Sequence, residues 1–143
     1  MMKARLFKHL ILLFFIINFS TAHATDNAEL VLQSLANVEQ YHSDEGNQFV
    51  LSKNKHGCKI EARFYLSNHQ ILTSYIFNQK GIVSAAERTY QYKYEKGEEG
   101  SLAHITDIYL SGTVYLDPAD PKNQQELNDF KALFPSTEIK KCL

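Results

Sequence analysis

The chain has 143 residues, 22 % of them charged, and a net charge of −1 with its histidines neutral. That balance lacks the basic excess that marks a nucleic-acid surface. The length suits a single domain with a modest core.

The first element is a targeting segment. Lys3, Arg5 and Lys8 precede the unbroken apolar run Leu10 to Ile17, and Ala22-His23-Ala24 sets alanines three and one residues before a cleavage point after Ala24. This is the layout of a secretory signal peptide spanning residues 1–24. A transmembrane anchor needs roughly 20 apolar residues, and Lys8 and His9 interrupt the run too early for that. Residues 25–143 are then expected to form one exported α+β domain, periplasmic or secreted, with no membrane anchor after cleavage. With Lys3, Arg5 and Lys8 removed from the 15 basic residues, 12 remain against 16 acidic ones, a net of −4. No polybasic segment is left to meet anionic lipid.

Asp26 followed three residues later by Glu29 reads as a capping box. Ala28, Val31, Leu32, Leu35 and Val38 then recur at helical spacing, which predicts an amphipathic helix of about 14 residues ending near Tyr41. Strand patterns follow at Gln48 to Ser52, Cys58 to Leu66, Gln70 to Phe77, Ile82 to Tyr94 and Leu102 to Leu116. A break is expected near Ala85-Ala86 and a bulge at Gly112. Short connections between strands imply antiparallel pairing, because parallel strands need a crossover of a dozen residues or more. Asp120 suits an N-cap and Pro121 a first helical turn. Leu127, Phe130, Leu133 and Phe134 give that helix its buried side, and it should stop before Pro135. The expected architecture is an antiparallel β-meander of about five strands, with an N-terminal and a C-terminal helix packed on one face.

Cys58 heads the alternating stripe Cys58, Ile60, Ala62, Phe64, Leu66, and Cys142 is the other cysteine of the chain. An even count in an oxidising compartment predicts a Cys58–Cys142 disulfide. Zinc would want about four close ligands, and no CxxC or HxxxH is present. A thiol nucleophile would need a base, and His56 lies across the Gly57 turn from a cysteine that faces inward.

Catalytic signatures are absent: there is no GxSxG, SxxK, HExxH or Gly-rich phosphate loop. His42, His56, His69 and His104 show no ligand spacing, and on a strand residues 104 and 107 would point to opposite faces. No metal or cofactor is expected, and the chain reads as a non-enzyme. The tyrosines offer more. Tyr90, Tyr92 and Tyr94 share one face of a strand with Arg88, and the row runs into the acidic tip Glu95, Glu98, Glu99. Two readings of this row stand. It forms the core side under a helix, or its far end is a contact surface, since tyrosine and arginine are enriched at recognition sites. The candidate partner-binding residues are Arg88, Tyr92, Tyr94, Glu95, Glu98 and Glu99, with Lys59, Glu61, Arg63 and Tyr65 on an outer face of their own strand. The expected function is a small exported protein that binds another protein, as an inhibitor or immunity-type protein does. The partner would be a basic exported enzyme or toxin. Two alternatives stand beside it. One is a small-molecule or lipid carrier with a cavity lined by Phe64, Ile76 and Ile108. The other is a hydrolase of unmarked type in which His104, His69 and strand carboxylates converge.

Overall fold

The computed structural model describes residues 29–142. The expected signal peptide, its cleavage point and the Asp26 cap lie outside the described residues.

Six antiparallel strands form one sheet in chain order: β1 (Leu30–Ala36), β2 (Asn47–Asn54), β3 (Gly57–Tyr65), β4 (His69–Asn78), β5 (Gly81–Tyr94) and β6 (Ile105–Leu116). Two helices follow, α1 (Pro121–Ala132) and the short α2 (Ser136–Lys140). The antiparallel meander and the C-terminal helix match the sequence reading; the N-terminal helix does not. Its residues form β1, paired along the edge of β2 from Leu30↔Lys53 to Ala36↔Gln48. The register shifts between Val31 and Gln33. This bulge sets two residues of β1 against one of β2 and breaks the two-residue period of the strand. Leu32 and Leu35, three apart, thereby both pack against the core. A bulged strand thus imitates the spacing of a helical stripe. Of the other members of that stripe, Val38 reaches the core from the loop after β1, as does Tyr41 near the expected helix end, whereas Val31 is exposed.

Asn47 organises that loop. Its side-chain oxygen accepts from the Val38 amide at 2.8 Å, and its side-chain amide donates to the carbonyls of Val38 and Tyr41. At the next hairpin, Gly57 pairs with Asn54 across the two residues Lys55 and His56. It holds φ +141°, and a Cβ there would sit 2.2 Å from the carbonyl oxygen of Phe77 on the neighbouring strand. Only glycine fits that approach.

The core lies between the sheet and α1. Phe49, Leu51, Cys58, Ile60, Ala62, Tyr75, Phe77 and Ala85 turn one face of β2 to β5 toward Leu127, Phe130 and Phe134. Phe130 meets the rings of Tyr41, Phe49 and Tyr75 at 5.4, 5.3 and 6.0 Å between centroids, each edge-on. That is the geometry aromatic quadrupoles favour. The helix starts as read: Asp120 accepts from the Lys122 amide at 2.8 Å, with Pro121 beside it. It ends before Pro135, after which α2 carries the chain back to the sheet. There Cys142 bonds Cys58, closing a span of 84 residues. β5 runs unbroken through Ala85 and Ala86, and a register shift of β6 lies beside Gly112.

Tyr75 is wholly buried, yet its hydroxyl donates to the Glu126 carboxylate at the rim of α1. Burial, reinforced by that carboxylate, holds the hydroxyl well above the ordinary tyrosine value. The unfolded chain releases this proton near pH 10, whereas the folded chain keeps it. The linked stability is therefore intact below that pH and fades as pH rises beyond it. Tyr75→Phe should cost about 1.5 kcal/mol at neutral pH. Urea unfolding of both proteins should show that gap shrinking above pH 10, and a gap that stays constant would contradict the linkage.

Candidate functional site

The sheet has a second face, and no described helix lies over it. Strand register fixes its membership. Arg88 pairs with Leu72 and Thr113, and Leu72 with Arg63, which pairs with Gln48. The row Tyr65, Gln70, Tyr90, Leu110 runs beside it on one flank. On the other flank, Val50, Glu61, Ser74, Ala86 and Tyr115 form the next row, followed by Ser52, Lys59, Ile76 and Ser84. All these residues alternate with the core set, so they point away from α1. Two outer-face groups read separately from β3 and β5 therefore belong to a single surface.

This corrects the reading of the tyrosine row as the core side beneath a helix. Tyr90, Tyr92 and Tyr94 occupy the uncovered face, while Glu87 and Thr89 lie on the helix side. Tyr92 is nevertheless 9 % exposed, because side chains on this face shield one another. Burial raises its hydroxyl above the ordinary value, and a hydrogen bond with Gln70 partly offsets this. The Tyr94 ring stands edge-on to that of Tyr92 at 6.2 Å and its hydroxyl donates to the Ser67 carbonyl at 3.1 Å. Arg63 lies over the Tyr90 ring at 5.5 Å and donates to Gln70 at 2.7 Å. The result is a braced aromatic and guanidinium surface.

The hairpin tip continues from Tyr94. The Glu98 amide donates to the Glu95 carbonyl at 3.0 Å, and the Ser101 amide to the Glu98 carbonyl at 3.1 Å. The Glu95 carboxylate meets His104 Nδ1 at 3.0 Å, and Glu99 accepts from the Gly97 amide at 3.3 Å. Glu95, Glu98 and Glu99 are all exposed. His104 belongs to a 3₁₀ turn, Leu102–His104, and not to the strand it was assigned from sequence. The candidate residues thus divide. Tyr94, Glu95, Glu98 and Glu99 form one cluster at the tip; Arg88, six residues back along β5 and about 20 Å away at strand rise, lies in another setting. Tyr92 is too buried to offer its ring.

Arg88 borders a cleft of about 290 Å³ lined by Glu29, Lys59, Glu61, Ser74, Ile76, Ser84, Ala86 and Tyr115. Small side chains make the depression: Ser74, Ser84 and Ala86 sit amid the larger Glu61, Ile76, Arg88 and Tyr115. Lys59 bonds Glu29 at 2.7 Å and Glu61 at 3.3 Å. Burial pulls its ammonium down, but the two carboxylates more than offset this and leave its pKa above the ordinary lysine value. The cleft escaped sequence reading because Ala85-Ala86 looked like a strand break. A run of small residues within an otherwise bulky strand was the available signal. The carrier cavity expected from Phe64, Ile76 and Ile108 does not form, since Phe64 packs into the core beside Tyr41 and Phe49 while Ile76 and Ile108 take the opposite face.

Cys58 is fully buried and disulfide-bonded, which removes it as a thiol nucleophile. Among the described residues no group of three or more His, Cys, Asp or Glu side chains gathers as a metal site, and no helix is long and apolar enough to cross a membrane. Comparison of the chain with family models, with curated proteins and with solved structures returns no match.

Proposed function

We propose that the chain is a small exported, non-enzymatic binding protein that engages a partner protein through the β5–β6 hairpin tip and the sheet face beside it. The carrying observation is the uncovered face, where Arg63 lies over the Tyr90 ring, Tyr94 stands edge-on to Tyr92, and three exposed glutamates follow Tyr94 at the tip. Aromatic rings held in place lose little entropy on binding, and tyrosine and arginine supply most interface anchors. The acidic tip suits a basic partner, such as an exported enzyme or toxin, and would speed encounter more than it deepens affinity. The disulfide fits an oxidising compartment, periplasmic or extracellular.

The test is capture from the exported protein fraction of the source organism, comparing the parent with Tyr94→Ala combined with Glu95→Gln, Glu98→Gln and Glu99→Gln. Capture of one defined basic protein should fall at least tenfold, and should weaken with added salt, while the melting temperature stays within about 2 °C. A lowered melting temperature with capture intact would assign these residues to folding and overturn the proposal.

A further inference from the structure

The cleft behind the tyrosine surface has an unbalanced polar lining. Ser74 is 8 % exposed, and its hydroxyl oxygen is fully buried without a hydrogen-bond partner. A buried hydroxyl left unbonded is costly, and such groups ordinarily find one. Arg88 is the second unbalanced group: among the described residues it makes no ion pair and no hydrogen bond, whereas the cleft's other cation, Lys59, already serves Glu29 and Glu61. Ser74 pairs with Ala86, and Arg88 follows Ala86 by two residues on the same face. Ser74 and Arg88 are therefore diagonal neighbours across β4 and β5, with Ala86 and Leu72 completing the square and Glu61 on the far side of Ser74. Ile76 and the Tyr115 ring supply apolar surface at the margin.

We infer that this cleft binds a small monoanionic carboxylate with a compact apolar body, its carboxylate held by Arg88 and Ser74 and its body against Ile76 and Tyr115. Arginine's planar fork matches a carboxylate bidentately, and the serine hydroxyl donates the third bond. The cleft's volume lies at the lower end of ligand pockets, which sets the body at one ring or a short branched chain. Glu61, in the same row as Ser74, repels a second negative charge and selects against a phosphate dianion. The site is separate from the hairpin tip and does not depend on the partner-protein reading.

The experiment is amide NMR of the isotope-labelled protein titrated at neutral pH and constant ionic strength with sodium benzoate, with benzamide as the uncharged isostere and inorganic phosphate as the competing anion. Benzoate should give saturable shifts at Ser74, Ala86 and Arg88 below about 20 mM, a range typical of weak small-ligand affinity. Benzamide and phosphate should bind at least tenfold more weakly. Arg88→Gln should weaken benzoate roughly tenfold, and Ser74→Ala about threefold, with the melting temperature unchanged in the first and not lowered in the second. Absence of saturable shifts at those three residues, equal binding of benzamide, or stronger binding of phosphate would each overturn the inference. If Arg88→Gln fails to fold, the benzamide and Ser74→Ala comparisons decide it: unchanged affinity in either rejects the site.

Discussion

Alanine at both Cys58 and Cys142 should lower the free energy of unfolding by about 4 kcal/mol, and the melting temperature by roughly 15 °C. The bond joins residues 84 apart, so it removes a large share of the open chain's conformations. The chain-entropy argument gives about 4.5 kcal/mol for a loop of this length. Substituting alanine avoids placing a hydroxyl at Cys58, which is fully buried. Against the 5 to 15 kcal/mol typical of a domain, the loss is a large fraction. Thermal melts with and without reductant provide the measurement. Reductant should reproduce the loss in the parent and do nothing to the double variant. A loss under about 1 kcal/mol would show that the unfolded chain is already confined without the bond.

Phe130→Ala should cost about 3 to 5 kcal/mol, within the range for deleting a buried aromatic. The ring is 1 % exposed and contacts three other rings, from the loop after β1, from β2 and from β4. Collapse around the void is limited, because Phe49 and Tyr75 are held by the sheet ladder on both sides. Leu127 and Phe134 are the other buried apolar anchors of this segment, so the substitution removes one of three. Lys131 rests over Phe77 at 4.4 Å, and burial lowers its pKa; loosening α1 should return that lysine toward its ordinary value. Urea unfolding measures the cost. A value under about 1.5 kcal/mol would mean that α1 is held chiefly by the disulfide-tethered tail. The double change, Phe130→Ala in the cysteine-free protein, should deviate from additivity, since both features fasten the same segment to the sheet.

What the sequence revealed follows from how local each signal is. The Cys58 to Leu66 stripe alternates without interruption, and β3 spans Gly57–Tyr65. Asp120-Pro121 announced α1 because capping chemistry resides in two adjacent residues. The N-terminal segment misled because its bulge is defined only by the partner strand: Leu32 and Leu35 face one way through pairing with β2, which spacing within a single segment cannot express. Which side of the sheet α1 covers was equally out of reach. Alternation showed that Arg88, Tyr90, Tyr92 and Tyr94 share a face, but the covered side is chosen by Phe49, Ile60 and Tyr75 on other strands. The tip cluster was legible as a contiguous run. The cleft was not, since Lys59, Ser74, Arg88 and Tyr115 come from four strands and meet only through register.

The placement of α1 after all six strands has a consequence for how the protein is made. A chain that emerges N-terminus first presents the sheet residues, apart from the edge that Val38 and Tyr41 reach, before the helix that covers them. Leu51, Ile60, Tyr75 and Phe77 have no helical lid until Leu127, Phe130 and Phe134 have followed, and no covalent lock until Cys142 arrives. Delivery of residues 121–142 is thus the step that ends exposure of the greasy face. Until then the nascent sheet is a natural client for a holding chaperone.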